Sequence, residues 1–150
     1  MSYSTYSFKD LTGGFSHPLA GTFIFGGEIG AGQITITMAT EKTMQDVAAD
    51  GTVQISAIAG DNGTVAIEVQ QTSSFHTFLV QWFDLVKNGL NNDDVSTWNS
   101  ASMLLRSTVN GVSHIVTGIS PQNLPPKVYG KQGANITWTL SAGNIQTATA

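Results

Sequence analysis

The strongest constraint in this sequence is a repeat of two. From Gln33 to Ala39, Ile34, Ile36 and Met38 alternate with Thr35 and Thr37. Thr64 to Gln70 sets Val65, Ile67 and Val69 against Ala66 and Glu68, and Ala134 to Ser141 sets Ile136, Trp138 and Leu140 against Asn135, Thr137 and Thr139. Successive side chains of a strand point to opposite faces, so each segment reads as a strand with one apolar and one polar face. Strands of this kind suit an antiparallel sheet with one face on a core. Ser102 to Val109 and Val112 to Thr117 flank Asn110-Gly111, whose residues take positive φ readily, and a hairpin is predicted there. A second hairpin is predicted to turn at Gly60-Asp61-Asn62-Gly63 and feed the strand from Thr64.

One segment follows a different period. Between Ser74 and Asn88, the side chains of Phe75, Phe78, Leu79, Trp82 and Val86 share one helical face. Ser73 or Ser74 suits the N-cap, Lys87 the C-terminal dipole, and Gly89 a left-handed C-cap, so the expectation is an amphipathic helix over about residues 74–88 packed on a sheet. Leu90 to Trp98 and the proline-bearing Ser120 to Gly133 read as loops, too short to be domain linkers, and residues 1–150 are expected to form a single domain. The C-terminal residues Gln146 to Ala150 read as an arm or a frayed end. Glu41 to Gly60 is the least regular stretch. It is too polar for a core and too apolar for a plain surface loop, which is the profile either of a segment that docks on a partner or of a loop packed on its own domain.

The charge content sharpens the partner question. Charged residues make up 11% of the chain, against about 25% in an ordinary soluble domain. Thr, Ser, Asn, Gln and Gly take their place, as they would on a surface buried against further copies or on a Thr-rich secreted β-protein. The net charge is −4, and the six cations, Lys9, Lys42, Lys87, Arg106, Lys127 and Lys131, are scattered. No basic stripe is available to hold a row of phosphates, so tight nucleic-acid binding is not expected. Cysteine is absent, which excludes disulfides, thiolate metal sites and cysteine nucleophiles. The N-terminus lacks the charged and apolar regions of a signal peptide. The apolar stretch Phe75 to Val86 is interrupted by His76, Thr77, Gln81 and Asp84 and cannot span a bilayer. Synthesis in the cytoplasm as a soluble chain is the expectation.

Catalytic chemistry finds no footing. His17, His76 and His114 are far apart and lack metal-ligand spacing. Ser113-His114 could enter a triad on paper, but no Gly-x-Ser-x-Gly elbow supports one. Asp93-Asp94 reads as a solvated loop, and Asp61-Asn62-Gly63 as a turn without the later ligands of a calcium loop. The glycines from Gly26 to Gly32 precede a strand and no lysine, unlike a phosphate cradle, and suit a bend or a close backbone approach. No cofactor is expected.

Several segments, in order, resemble a known family. They are Tyr6 to Asp10, His17 to Gly21, Gly30 to Thr40, Asp46 to Thr52, Gly63 to Thr72, Thr117 to Pro121 and Asn135 to Leu140. Together they are similar to the tail tube (inner tube) proteins of contractile-tailed bacteriophages, the myophages, over about residues 4–145. The resemblance implies a mainly β fold: an antiparallel β-sandwich or half-barrel with one flanking α-helix. It also implies six-membered rings that complete one β-barrel around a lumen and stack into a tube inside the sheath. With about four strands from each of about six subunits, spaced about 4.8 Å and tilted near 40°, the wall would leave an opening of roughly 40 Å, enough for duplex DNA and water.

That assembly assigns roles to residues. Thr35, Thr37, Asn135, Thr137 and Thr139 are candidates for the lumen face, uncharged and without a cation to grip phosphate. Met44, Val47, Ile55 and Ile58, within a loop from Lys42 to Ala59, are candidates for contact with a neighbouring ring. The implied partners are the chain itself, a sheath protein, a tape-measure protein, baseplate and terminator proteins, and DNA only in transit, with no membrane. The implied location is the virion. A tail terminator or baseplate hub ring of the same fold is one alternative. A carbohydrate-binding β-sandwich with Trp98 as its stacking platform is another.

Overall fold

The computed structural model describes residues 3, 5, 7, 10–26, 31–93, 95–109, 111–126 and 129–149. Asn110, Asp94, residues 27–30, Lys9 and Lys127, which figure in the expectations above, lie outside them, as does part of the Tyr6 to Asp10 segment. Ten strands and one helix follow in the order β1 (Leu11–His17), β2 (Gly21–Gly26), β3 (Ala31–Met38), β4 (Thr43–Val47), β5 (Val53–Ala57), β6 (Gly63–Gln70), α1 (Ser74–Asn91), β7 (Ala101–Ser107), β8 (Val112–Pro121), β9 (Asn135–Ala142) and β10 (Asn144–Thr149). All pairings are antiparallel. Eight strands form one sheet in the order β2-β1-β7-β8-β9-β6-β3, with β10 on β8, while β4 and β5 pair only with each other. The sheet is open at β2 and β3.

The sheet bends into two layers at one corner. Strand β8 pairs with β10 from Val112 to Thr117 and with the end of β9 at Ser120 and Pro121. Gly118 has φ +67, and a Cβ there would meet the Gly143 backbone at 3.4 Å. Gly143 donates its N–H to Thr117 O and Gly118 O. Two facing glycines therefore let both strands turn together, which is how a strand passes from one layer of a sandwich to the other.

Helix α1 covers the inner side. Ser73 is the N-cap, and its Oγ accepts from the Phe75 N–H at 3.2 Å. Phe75, Leu79, Trp82 and Val86 are buried on one face, with Phe78 half-buried beside them. They meet Phe15, Phe23 and Phe25 of β1 and β2: the Phe15–Trp82 ring centroids are 5.0 Å apart and the Phe25–Phe75 centroids also 5.0 Å. Val65, Ile67, Val69, Ile136, Trp138 and Leu140, the apolar phase of β6 and β9, close the same core.

Several expectations need correction. The helix runs to Asn91, one turn beyond the predicted end, so Gly89 lies inside it and Lys87 stands back from its last turn. The left-handed residue after it is Asp93, at φ 62. Strand β7 stops at Ser107, because the Thr108 N–H and Oγ1 both bond Asp10 O at 2.9 Å and draw the chain aside. The β7–β8 hairpin forms, with Gly111 at φ 70, but its connection is wider than two residues. Gly60 to Gly63 is not a hairpin turn: β6 pairs with β3, from Met38↔Gly63 to Ala31↔Val69, across the β4–β5 excursion. A Cβ on Gly63 would lie 2.1 Å from Thr37 O, so glycine there permits that pairing. Ser120 and Pro121 belong to β8, and the C-terminal segment is strand β10 rather than a frayed arm.

Candidate functional site

Two surfaces predicted from the sequence can now be placed. The first is the outer face of β3, β6 and β9. Register puts Thr37, Thr64 and Ser141 in one row, Thr35, Ala66 and Thr139 in the next, Gln33, Glu68 and Thr137 in a third, and Gln70 with Asn135 in a fourth. Directly opposed residues in an antiparallel pair share a face, so all five lumen candidates lie on one side, opposite the core. Thr35, Thr37, Asn135 and Thr137 are exposed, and Thr139 is half-buried. Asn135 Nδ2 donates to Glu68 Oε1 at 2.8 Å, and Gln122 Nε2 donates to Ser141 Oγ at 3.2 Å. A small open cleft of about 130 Å³ lies between Gln33, Thr35, Ala66, Glu68 and Thr137. Glu68 is the single charged side chain among these eleven positions. The face presents hydroxyls and amides, and it offers a polyanion no cation.

The alternation that nominated Thr35 and Thr137 also runs through Thr64, Ala66 and Glu68. These went unassigned because pairing between distant strands is not written in local periodicity.

The second surface is the β4–β5 hairpin. All ten strand residues are exposed. Pairing of Val47 with Val53 and of Gln45 with Ile55 puts Val47, Val53 and Ile55 on one face. Met44 lies on the other with Ser56, Asp46 and Gln54. The four ring-contact candidates are therefore not one patch: Val47 and Ile55 group with the unpredicted Val53, Met44 faces away, and Ile58 is half-buried at the base.

The hairpin has a built tip and a built root. At the tip Gly51 has φ +89, and Asp50 Oδ1 accepts from the Thr52 N–H at 3.0 Å. That backbone bond, and then the Thr52 hydroxyl, holds the Asp50 carboxyl below its ordinary value. At the root, Ile58 N–H bonds Lys42 O at 2.8 Å, and Thr40 Oγ1 donates to Asn62 Oδ1, also at 2.8 Å. Lys42 Nζ donates to Asp61 Oδ1 and to Gly60 O. The hydrogen bond from Lys42, and then its charge, depress the Asp61 carboxyl.

Other candidate features resolve as structure. His17 is 1% exposed and serves as a lock: Nδ1 accepts from Leu19 N–H at 3.1 Å, and Nε2 lies 2.9 Å from Thr97 O. His114 Nδ1 lies 2.9 Å from Thr147 Oγ1 across the β8–β10 pair. Trp98 is half-buried against the core rather than displayed as a platform for sugars. No cluster of metal-ligating side chains occurs among the described residues, and no described helix is long and apolar enough to cross a membrane.

The chain is thus an antiparallel two-layer β fold with one helix, a charge-poor outer face and a projecting hairpin. The chain is similar to a protein of the anti-feeding prophage baseplate, with TM-score 0.62 and 11% identity, covering 99% of this chain and 98% of that one. It is similar to a chain of the anti-feeding prophage tube-terminating cap (TM-score 0.56, 12% identity, 100% and 94% covered). A chain of an extracellular contractile injection system, in the PVC sheath–tube complex in its extended state, matches with TM-score 0.58, 10% identity, and 99% and 93% covered. None of the curated proteins matches the sequence. The family model described as Bacteriophage PhiTE tail tube protein matches residues 3–149. The chain belongs to this phage tail tube family, and its role is that of a structural tail component.

Proposed function

We propose that the chain, as a single domain, forms the inner tube of a contractile phage tail, in homohexameric rings stacked end to end around a lumen. The observation that carries this reading is the outer face of β3, β6 and β9, where eleven side chains include one carboxylate and no cation. A lumen of such faces passes DNA without gripping it, and the net charge of −4 per subunit adds repulsion. Closure of the open β2 and β3 edges by neighbouring subunits would remove two strand edges that are otherwise prone to unwanted pairing. The β4–β5 hairpin is the segment that reaches the next ring. The sheath, the tape-measure protein, the baseplate and the terminator are the proposed partners, with DNA in transit. The subunit is made in the host cytoplasm, resides in the virion and has no enzymatic role.

Negative-stain electron microscopy of the purified protein tests this. Tubes or six-fold rings with an opening near 40 Å are the expected result; a monomer that remains one even when nucleated by a baseplate would overturn it. A second reading, a capping or baseplate ring, has specific support in the likeness to chains of a tube-terminating cap and a baseplate. Single rings that never polymerise would favour it.

A further inference from the structure

The outer face of the other layer is not polar throughout. Gly14 pairs with Ile24 on one side and Leu104 on the other, and Leu104 pairs with Ile115. Ile24, Gly14, Leu104 and Ile115 therefore form one row across β2, β1, β7 and β8. Ile24 is 83% exposed, and Leu104 and Ile115 are each 47% exposed. Gly14 leaves a gap in the row, and a shallow groove of about 560 Å³ opens there between Thr12, Gly14, Ile24, Phe25 and Leu104. Arg106 stands on its rim, directly opposite Thr12.

We infer that this groove receives the β4–β5 hairpin of a second copy of the chain, an inference that rests on the stacked-ring reading above. Each copy carries both halves of the contact. An isolated two-stranded hairpin is marginal in water, yet this one exposes Val47, Val53 and Ile55 together on one face. That face matches the groove in chemistry: branched apolar side chains opposite a glycine gap flanked by Ile24 and Leu104. The charges are complementary, since the hairpin tip carries Asp50 and the groove rim Arg106. Hairpin and groove are different surfaces, so the contact is heterologous and repeats without self-closure, as linear stacking requires.

The native chain has no cysteine, so engineered pairs report cleanly. Val53→Cys combined with Ile24→Cys or Leu104→Cys should give covalent ladders when assembled tubes are oxidised. Met44→Cys with Leu104→Cys, which uses the opposite hairpin face, should not. Gly14→Leu gives a second test that spares the fold, because a Cβ at Gly14 meets only Phe23 O, at 3.6 Å. The variant should keep the wild-type circular dichroism and melting temperature and lose tube growth. Normal tubes without ladders, or normal-length tubes from Gly14→Leu, would overturn this docking while leaving the tube reading intact. Wild-type protein that never forms rings or tubes would sink both. A Leu104→Cys thiol that stays open to maleimide in bare tubes and is shielded only by added sheath protein would assign the groove to the sheath instead.

Discussion

Trp138 donates its indole N–H to Nδ1 of His76 at 3.1 Å, which ties β9 to the first turn of α1. Trp138 is fully buried, so its donor has no recourse to water. His76→Ala is expected to lower stability by about 1–3 kcal/mol, the usual effect of leaving a buried donor unsatisfied. Adding Trp138→Phe should cost less than the sum of the two single changes, because no indole donor then remains. Urea unfolding of the four proteins measures the coupling.

His17 joins the β1–β2 turn to the loop before β7 through Thr97. His17→Phe keeps an aromatic ring in the core and removes these hydrogen bonds. A loss of about 1–3 kcal/mol is expected for each group left unpaired, which would appear as a lower melting temperature. Hydrogen exchange should quicken selectively at Leu19.

The root of the hairpin carries a pH dependence. The Asp61 carboxyl is depressed below 3.8 by Lys42, so its contribution is complete above that value and is lost as the pH falls through the lowered one. The pair is exposed, and the effect is local. A lower protection factor for the Ile58 amide at acid pH, measured against its intrinsic exchange rate, with little change in global unfolding, is the expected pattern. An equal loss of Ile58 protection in Asp61→Asn at neutral pH would check the cause.

Replacing Gln45 to Gln54 by an Asn-Gly turn removes only exposed residues. The subunit should unfold within about 0.5 kcal/mol of the parent and fail to stack. Electron microscopy alongside chemical denaturation separates the two effects. Tubes of normal length would remove the hairpin from assembly.

Thr35→Lys with Thr37→Lys puts two cations on a face that has none. Assembly should persist, since neither side chain reaches the core, while DNA ejection from reconstituted particles slows and becomes sensitive to salt. Unchanged ejection would remove these positions from the lumen.

How much was legible follows from the range of each signal. Period two located β3, β6 and β9, and period 3.6 located α1, because both are written within a few residues. Strands β1 and β2 were missed: Leu11–His17 contains Gly13 and Gly14, which blur alternation, and the need for Gly13 emerges only where the Leu104 carbonyl and the Phe25 ring approach it. The β3–β6 pairing was hidden because the chain leaves the sheet at Met38 and returns at Gly63 after a complete second hairpin. Glu41 to Gly60 did look foreign to a core, and Val47 and Ile55 were legible as exposed apolar residues. Their separation from Met44 was not, since it depends on the cross-strand register.

The paired glycines at the corner have a mechanical consequence. Because β8 and the ribbon of β9 and β10 continue through Gly118 and Gly143, the two layers are joined by covalent backbone as well as by packed side chains. A push or twist applied to the layer holding Leu104 is transmitted to the layer holding Thr137 through peptide bonds, without slip between them. In the tube proposed above, a load taken up by one layer would therefore reach the other instead of being absorbed between them.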